Sequence, residues 1–221
     1  MTRPIPPELL ARIKAHERWL ETTKREGQEL AEGDVDLHDL DLSGRHLVMT
    51  VLPEANLNRA VLRNANLSNS NLRWASFAEA ILDDAWLVET VTDHANFTGA
   101  SLHAVRGISL EGLEATFQKA DLTAGNFYDA NFMKANLEYA NFSQANLREA
   151  CFSMAQMAYA TLTGASFGHA DLAGATGLES AIVEWIDIGE ENVPQRLEGE
   201  MARHWLLEEA AKPFPKGVNF T

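Results

Sequence analysis

Residues 130–152 read ANFMKANLEYANFSQANLREACF, in which Ala recurs every fifth residue with Leu or Phe two places later. A period of five belongs neither to an α-helix, at about 3.6 residues per turn, nor to a half-buried strand, at about two. With the large apolar residue set at the centre of each pentad, central positions fall at every fifth residue from 37 to 172, which makes 28 slots. Leu, Phe or Met fills all of them except Thr92, Gly107 and Gly112. Two places earlier, Ala fills 20 of the 25 slots between 55 and 175, the exceptions being Ser70, Thr90, Val105, Leu110 and Gly125. The phase is never lost, and an internal repeat of this length decides the architecture.

One large and one small apolar residue per pentad must both point inward. Four pentads close a square turn, with Leu and Phe filling the interior and Ala fitting the tighter space beside them. Such turns stack with backbone hydrogen bonding between them, because no single turn buries its apolar side alone. The 28 pentads then make seven coils and a rod of roughly 33 Å at strand spacing. The 20-residue turn has independent support. Phe77, Phe97 and Phe117 would stack as an interior ladder, and Tyr139 and Tyr159 would stack outside. The residue before the central one is often Asn or Asp, as at Asn66, Asn126, Asn131, Asn136 and Asn141. Short polar side chains of this kind bond to nearby backbone and favour turns, so their role is structural.

The pattern A-[ND]-[LF]-X-X over residues 35–175 resembles the pentapeptide-repeat family. The resemblance implies an all-β solenoid, a right-handed quadrilateral β-helix of about seven coils, with N-terminal and C-terminal α-helical caps expected on the flanking residues. It covers about two-thirds of the chain and is specific for fold rather than function. Residues 1–34 are expected to form a capping helix and linker, 35–175 the β-helix, 176–211 a transition and second helix, and 212–221 an extended tail.

Residues 6–26 begin with prolines suited to a first helical turn and stop at Gly27. Leu9, Ile13, His16 and Leu20, with Trp19 alongside, form one apolar stripe suited to covering an open solenoid end. The stretch AHERWLETTKREGQEL also resembles a leader found ahead of many bacterial pentapeptide repeats. At the other end, QRLEGEMARHWLLEEAA (195–211) reads as a helix with Leu197, Met201 and Trp205 on one face. That face either folds back as a cap or pairs with a second copy. Topoisomerase-protecting members of the family dimerise through C-terminal elements, so the resemblance supports a homodimer here.

Thr92 and Gly112 are 20 residues apart and share one side of the rod, with Gly107 on the neighbouring side. Two readings are open for this region: a repeat repacked by Val91, Ile108, Leu110 and Leu113, or a small bulge displaying Asp93, His94, Arg106, Glu111 and Glu114 to a partner. Irregular segments on rigid scaffolds commonly carry recognition. Glu89, Asp129 and Glu149 share one outer column as a candidate acidic surface, and Trp74, Trp86, Tyr139 and Tyr159 are candidate aromatic anchors.

The net charge of −14 disfavours direct nucleic-acid binding. No stretch approaches the ~18–20 apolar residues of a membrane span, and the N-terminus lacks the apolar core of a secretory signal. A single cysteine, Cys151, fits a reducing compartment, so a cytoplasmic protein of bacterial type is expected. The seven histidines are scattered, and HxxxH, CxxC and phosphate-loop patterns do not occur. No catalytic residue, metal or cofactor is expected. The functional expectation is a non-enzymatic protein-interaction scaffold. The alternative comes from the resemblance: some family members mimic B-form DNA in width, shape and charge, bind DNA gyrase or topoisomerase IV, and protect them from antibiotics or toxins. The N-terminal helix departs from the quinolone-protecting members, which begin nearly at their first coil.

Overall fold

A computed structural model describes residues 2–214, so most of the expected tail, residues 215–221, lies outside the described residues. The repeat folds as a β-helix solenoid. Parallel bridges join residues 20 apart in an unbroken series from Ala31–Val51 to Gln156–Thr176.

The pentad Asn66–Ser70 shows why five residues suffice. Asn66 N–H donates to Arg45 C=O, Leu67 N–H to Trp86 C=O, and Asn69 N–H to Val88 C=O, at 2.8–2.9 Å. Ser70 N–H closes a turn onto Leu67 C=O. The one remaining donor, Ser68 N–H, is taken by the Asn66 side-chain oxygen at 3.0 Å. All five amides are thus bonded, which a buried ladder requires. The same Asx bond recurs at Asn131, Asn136 and Asn141, and it explains the preference for Asn or Asp before the central residue. The third residue of each turn is left-handed, as in a type II turn. Non-glycine residues such as Glu89 (φ 52°) and Asp129 (φ 57°) occupy it repeatedly.

Central Leu and Phe side chains and the Ala side chains point inward and are buried. Phe77, Phe97 and Phe117 stack at 4.7 Å with planes within 5°. Higher up, Phe127, Phe132 and Phe142 meet edge to face. Hydroxyls in small-residue slots are bonded rather than orphaned, as where Thr90 donates to Leu67 C=O at 2.9 Å.

The bulge reading for residues 88–95 and 105–114 is overturned. Bridges pass through Val91–Glu111, Arg106–Asn126 and Glu111–Asn131 in register. The space left by Gly107 is filled from the next coil, since a Cβ on Gly107 would lie 2.7 Å from the Phe127 ring. Leu110, in a small-residue slot between two glycines, is fully buried. Val91, Ile108 and Leu113 do not shift inward and stay half-exposed.

Helix α1 (Pro7–Glu21) buries Leu9, Ile13 and His16. Leu9 and Ile13 face Leu37, Leu42, Leu47 and Leu52 of the first coil across a gap of about 10 Å³, too small to hold much more than one water. Leu30 N–H donates to His16 Nδ1 at 3.0 Å. The ring proton therefore sits on Nε2, which donates to Val48 C=O at 3.0 Å. Burial lowers the His16 pKa, and the carbonyl bond and the nearby carboxylates of Glu29 and Glu17 oppose that only in part.

At the other end a 3₁₀ turn, Leu178–Ser180, adds one residue, and the bridge spacing changes to 21 at Thr161–Ile182 and Ser166–Asp187. Strand β1 (Trp185–Asp187) pairs antiparallel with β2 (Arg196–Glu198), and helix α2 (Gly199–Ala210) follows. The expected helix 195–211 therefore starts later. Leu197 lies in β2 opposite Ile186 rather than on a helix face with Met201 and Trp205. The packed face of α2 is Ala202, Trp205 and Leu206, with Trp205 6.1 Å from Phe167, while Met201 is 64% exposed.

Candidate functional site: the outer faces of the rod

With the interior filled, partner chemistry is confined to the three outward positions of each pentad. These form columns on four faces, named here by their first central residue: Leu37 (first), Leu42 (second), Leu47 (third) and Leu52 (fourth).

The fourth face carries Trp74, His94, Glu114 and Lys134 in one column. The Trp74 and His94 rings stack at 3.9 Å with planes 8° apart. His94 Nδ1 lies 3.5 Å from Glu114, which also pairs with Lys134 at 3.2 Å. Beside them Asp93 accepts from Arg73 Nε at 3.1 Å and Leu113 N–H at 3.2 Å, and Glu111 accepts from Asn131 at 3.0 Å. Arg106 is not part of this group. It sits on the third face with its guanidinium 4.1 Å over the Trp86 ring. The five residues singled out around the glycine breaks are thus divided between two faces, and each has a partner on the rod.

The first face carries Tyr139 and Tyr159, stacked at 4.9 Å and about half exposed. Its lower end holds a bidentate pair, Arg59 to Asp39, at 2.8 Å on both arms. That pair holds the Asp39 carboxyl below its ordinary range. Arg63–Asp83 on the second face and Arg73–Asp93 on the fourth are further ion pairs between residues 20 apart.

The third face differs. Glu89, Asp129 and Glu149 form an exposed column, and among the described residues no Lys or Arg lies within ion-pair distance of any of the three. Beside this column runs an apolar one, Val88, Ile108 and Tyr128, with Tyr128 37% exposed. The Tyr128 hydroxyl hydrogen-bonds Glu149, which raises the phenol's pKa. Toward the C-terminal end a groove of about 500 Å³ opens between Tyr128 and the turn carrying Glu190 and Glu191. Arg148 lines it, with its guanidinium donating to Asp187 at 2.5 Å and Gly189 C=O at 3.2 Å. Sequence reasoning missed Tyr128, Ile108 and Arg148 as surface features. The 20-residue column rule finds the first two, whereas the Arg148 pairing crosses the change of period and leaves no spacing signal.

Among the described residues no group of three or more His, Cys, Asp or Glu gathers in metal-ligand geometry. No described helix is long and apolar enough to cross a membrane.

Fold and surface together define a β-helical solenoid repeat protein. The family model for pentapeptide repeats matches in eight copies over residues 36–73, 55–91 and 126–158, so the repeats at these residues are pentapeptide repeats. No curated protein sequence matches the chain. Among solved structures, the chain is similar to HetL, a pentapeptide repeat protein involved in heterocyst differentiation regulation in the cyanobacterium Nostoc sp. strain PCC 7120. Identity is 22% over 76% of this chain and 75% of that one, with a TM-score of 0.31. It is also similar to QnrB1, a plasmid-mediated fluoroquinolone resistance protein, at 14% identity over 69% of this chain and 81% of that one, TM-score 0.38. Rfr23 from the cyanobacterium Cyanothece 51142 is 21% identical over 77% of this chain and 99% of its own, TM-score 0.27.

Proposed function

We propose that the chain is a non-enzymatic, cytoplasmic protein-interaction scaffold: a stiff rod of seven regular coils, capped by α1 and α2, that presents fixed side-chain columns to a protein partner. The observation that carries this reading is the division of the described residues into a core filled with buried Leu, Phe and Ala side chains and an outside of polar, charged and aromatic columns. A side-chain-filled solenoid leaves its interior closed to a substrate, and its repeats suit it to extended binding surfaces. The N-terminal helix is docked by a buried, doubly bonded histidine, which supports a permanent cap.

A second reading, a DNA-mimicking ligand of gyrase or topoisomerase IV that acts as a homodimer through the C-terminal helix, is favoured by the net charge of −14 on a rod. Against it, ion pairs on the first, second and fourth faces neutralise some of the carboxylates that a mimic of two phosphate strands would leave bare. Exposed Met201 and Leu207 are the α2 side chains such a dimer would cover. Supercoiling assays on both topoisomerases, with the purified chain titrated in and with or without a fluoroquinolone, separate the two. Inhibition or drug rescue establishes the second reading. No effect, together with stoichiometric capture of another protein, establishes the first, and absence of both removes each.

A further inference from the structure

On the other faces some carboxylates are joined to cations one coil away, as in Arg59–Asp39, Arg63–Asp83 and Lys134–Glu114, whereas the third-face column through 89, 129 and 149 gathers three carboxylates and holds no Lys or Arg. On the third face the cations are spoken for elsewhere. Arg106 lies flat on Trp86, and Arg148 is turned into the C-terminal segment by Asp187 and Gly189. Glu89, Asp129 and Glu149 are left facing solvent, with Glu190 and Glu191 extending the negative rim past the end of the column. A negative rim alone attracts any cation. The apolar column of Val88, Ile108 and Tyr128 beside it narrows the choice, because covering it stabilises by about 25 cal/mol per Å² of apolar surface removed from water. A small hydrated cation gains nothing from that surface, and an anionic surface is repelled.

We infer that the third face is the docking surface for a short basic segment of a partner protein, whose aliphatic or aromatic side chains cover Val88, Ile108 and Tyr128 while its Lys or Arg side chains pair with Glu89, Asp129 and Glu149. This assignment rests on the scaffold reading and deepens it by naming the face and the partner's chemistry. From Val88 to Gly168 the column climbs four coils, about 19 Å at strand spacing, the reach of about six extended residues. The groove at the C-terminal end, with Tyr128 at one side and Glu149, Glu190 and Glu191 around it, takes a long basic side chain of the segment, its stem against Tyr128 and its charge toward the carboxylates. Because the rod is rigid, the face is formed before the partner arrives. Pairing charges on a preformed surface costs less ordering than arranging them on a mobile loop.

The test uses the full chain and fluorescence anisotropy with a labelled hexapeptide that alternates lysine with leucine or phenylalanine. Lysine–glycine and glutamate–leucine hexapeptides serve as comparisons. Saturable binding is expected, weakened at least tenfold by Asp129→Asn with Glu149→Gln, and at least tenfold by Ile108→Ser with Tyr128→Ser. Glu79→Gln with Glu138→Gln on the first face should leave it within twofold. The lysine–glycine peptide should bind at least tenfold more weakly and the glutamate peptide not at all. Equal binding of the lysine–glycine peptide, or insensitivity to the third-face changes, reduces the surface to general charge attraction and overturns the inference. If the peptide fails while a partner is captured through another face, the scaffold reading stands and only this assignment falls. Circular dichroism melts of each variant keep loss of folding distinct from loss of binding.

Discussion

The Arg148 guanidinium and the Asp187 carboxylate meet at 2.5 Å across 39 residues of chain, with both side chains less than a fifth exposed. Asp187 also accepts from Gly189 N–H at 3.0 Å and Gln195 N–H at 2.7 Å. One carboxylate thereby ties the last coil, the turn at 189–191 and the approach to β2 together. Removing one partner of a pair this sheltered typically costs about 3–5 kcal/mol, because the other charge stays behind. Arg148→Met is predicted to lower stability at the lower end of that range, since the backbone donors to Asp187 remain. Asp187→Ala should cost more. Urea denaturation read by tryptophan fluorescence checks both. Amide exchange over 185–210 should quicken while that of the middle coils does not.

His16 gives the N-terminal end a pH window. Its native pKa lies below the ordinary imidazole value because burial disfavours the cation and the Nδ1 lone pair is engaged by Leu30 N–H. The unfolded state therefore binds the extra proton first. The stabilisation is complete above about pH 6.5 and is lost as pH falls below it, at up to about 1.4 kcal/mol per pH unit for one proton. Around the ring stand Glu17, Glu29 and the stacked Trp19, and the two carboxylates only soften the effect. Between pH 7.5 and 5.5, α1 should lose exchange protection ahead of the coils. His16→Leu should abolish that pH dependence at some cost in absolute stability. Asp36, Asp39 and Asp41, whose pKa values are lowered by bonds to His38, Arg59 and Ser43, add a separate loss only below about pH 4.

Phe127 and two glycines form a coupled packing unit. A Cβ at Gly125 would meet the Phe127 ring at 2.3 Å, and one at Gly107 would meet it at 2.7 Å. Gly125→Ala, although it restores the commoner residue of its slot, is predicted to destabilise by about 1–3 kcal/mol through overpacking. Adding Phe127→Leu should recover much of that loss. A double-mutant cycle from thermal melts measures the coupling, and additive effects would mean that the ring does not fill this space.

The Asx bond that completes each pentad predicts a smaller, repeated effect. Asn136→Ala leaves Glu138 N–H without its 3.0 Å partner and should cost about 1 kcal/mol. Asn136→Asp should be nearly neutral. Calorimetric comparison of the two variants isolates the bond from the change in side-chain size.

The sequence disclosed the coil because its rule is local: each pentad must hold one large and one small inward residue and bond five amides, and Ala-Asn-Leu meets all three needs. The Phe77–Phe97–Phe117 and Tyr139–Tyr159 stacks followed by counting alone. What stayed hidden depends on contacts between distant residues. Leu197, Met201 and Trp205 have helical spacing, but β2 pairing removes Leu197 from the helix, and no local signal marks that choice. The glycine at 107 suggested a bulge because its filler, Phe127, lies one coil further on and already fitted the repeat. The acidic column at 89, 129 and 149 was legible, whereas its lack of paired cations required seeing where Arg106 and Arg148 turn.

The most direct test of the account is photo-cross-linking in living cells of the native host, with a benzophenone side chain placed singly at 139, 103, 128 or 134, one position on each face. The account predicts protein adducts concentrated at 128, with cross-linked partner peptides rich in Lys or Arg and carrying apolar residues. Adducts spread evenly over the four positions, or found at none of them, would contradict it.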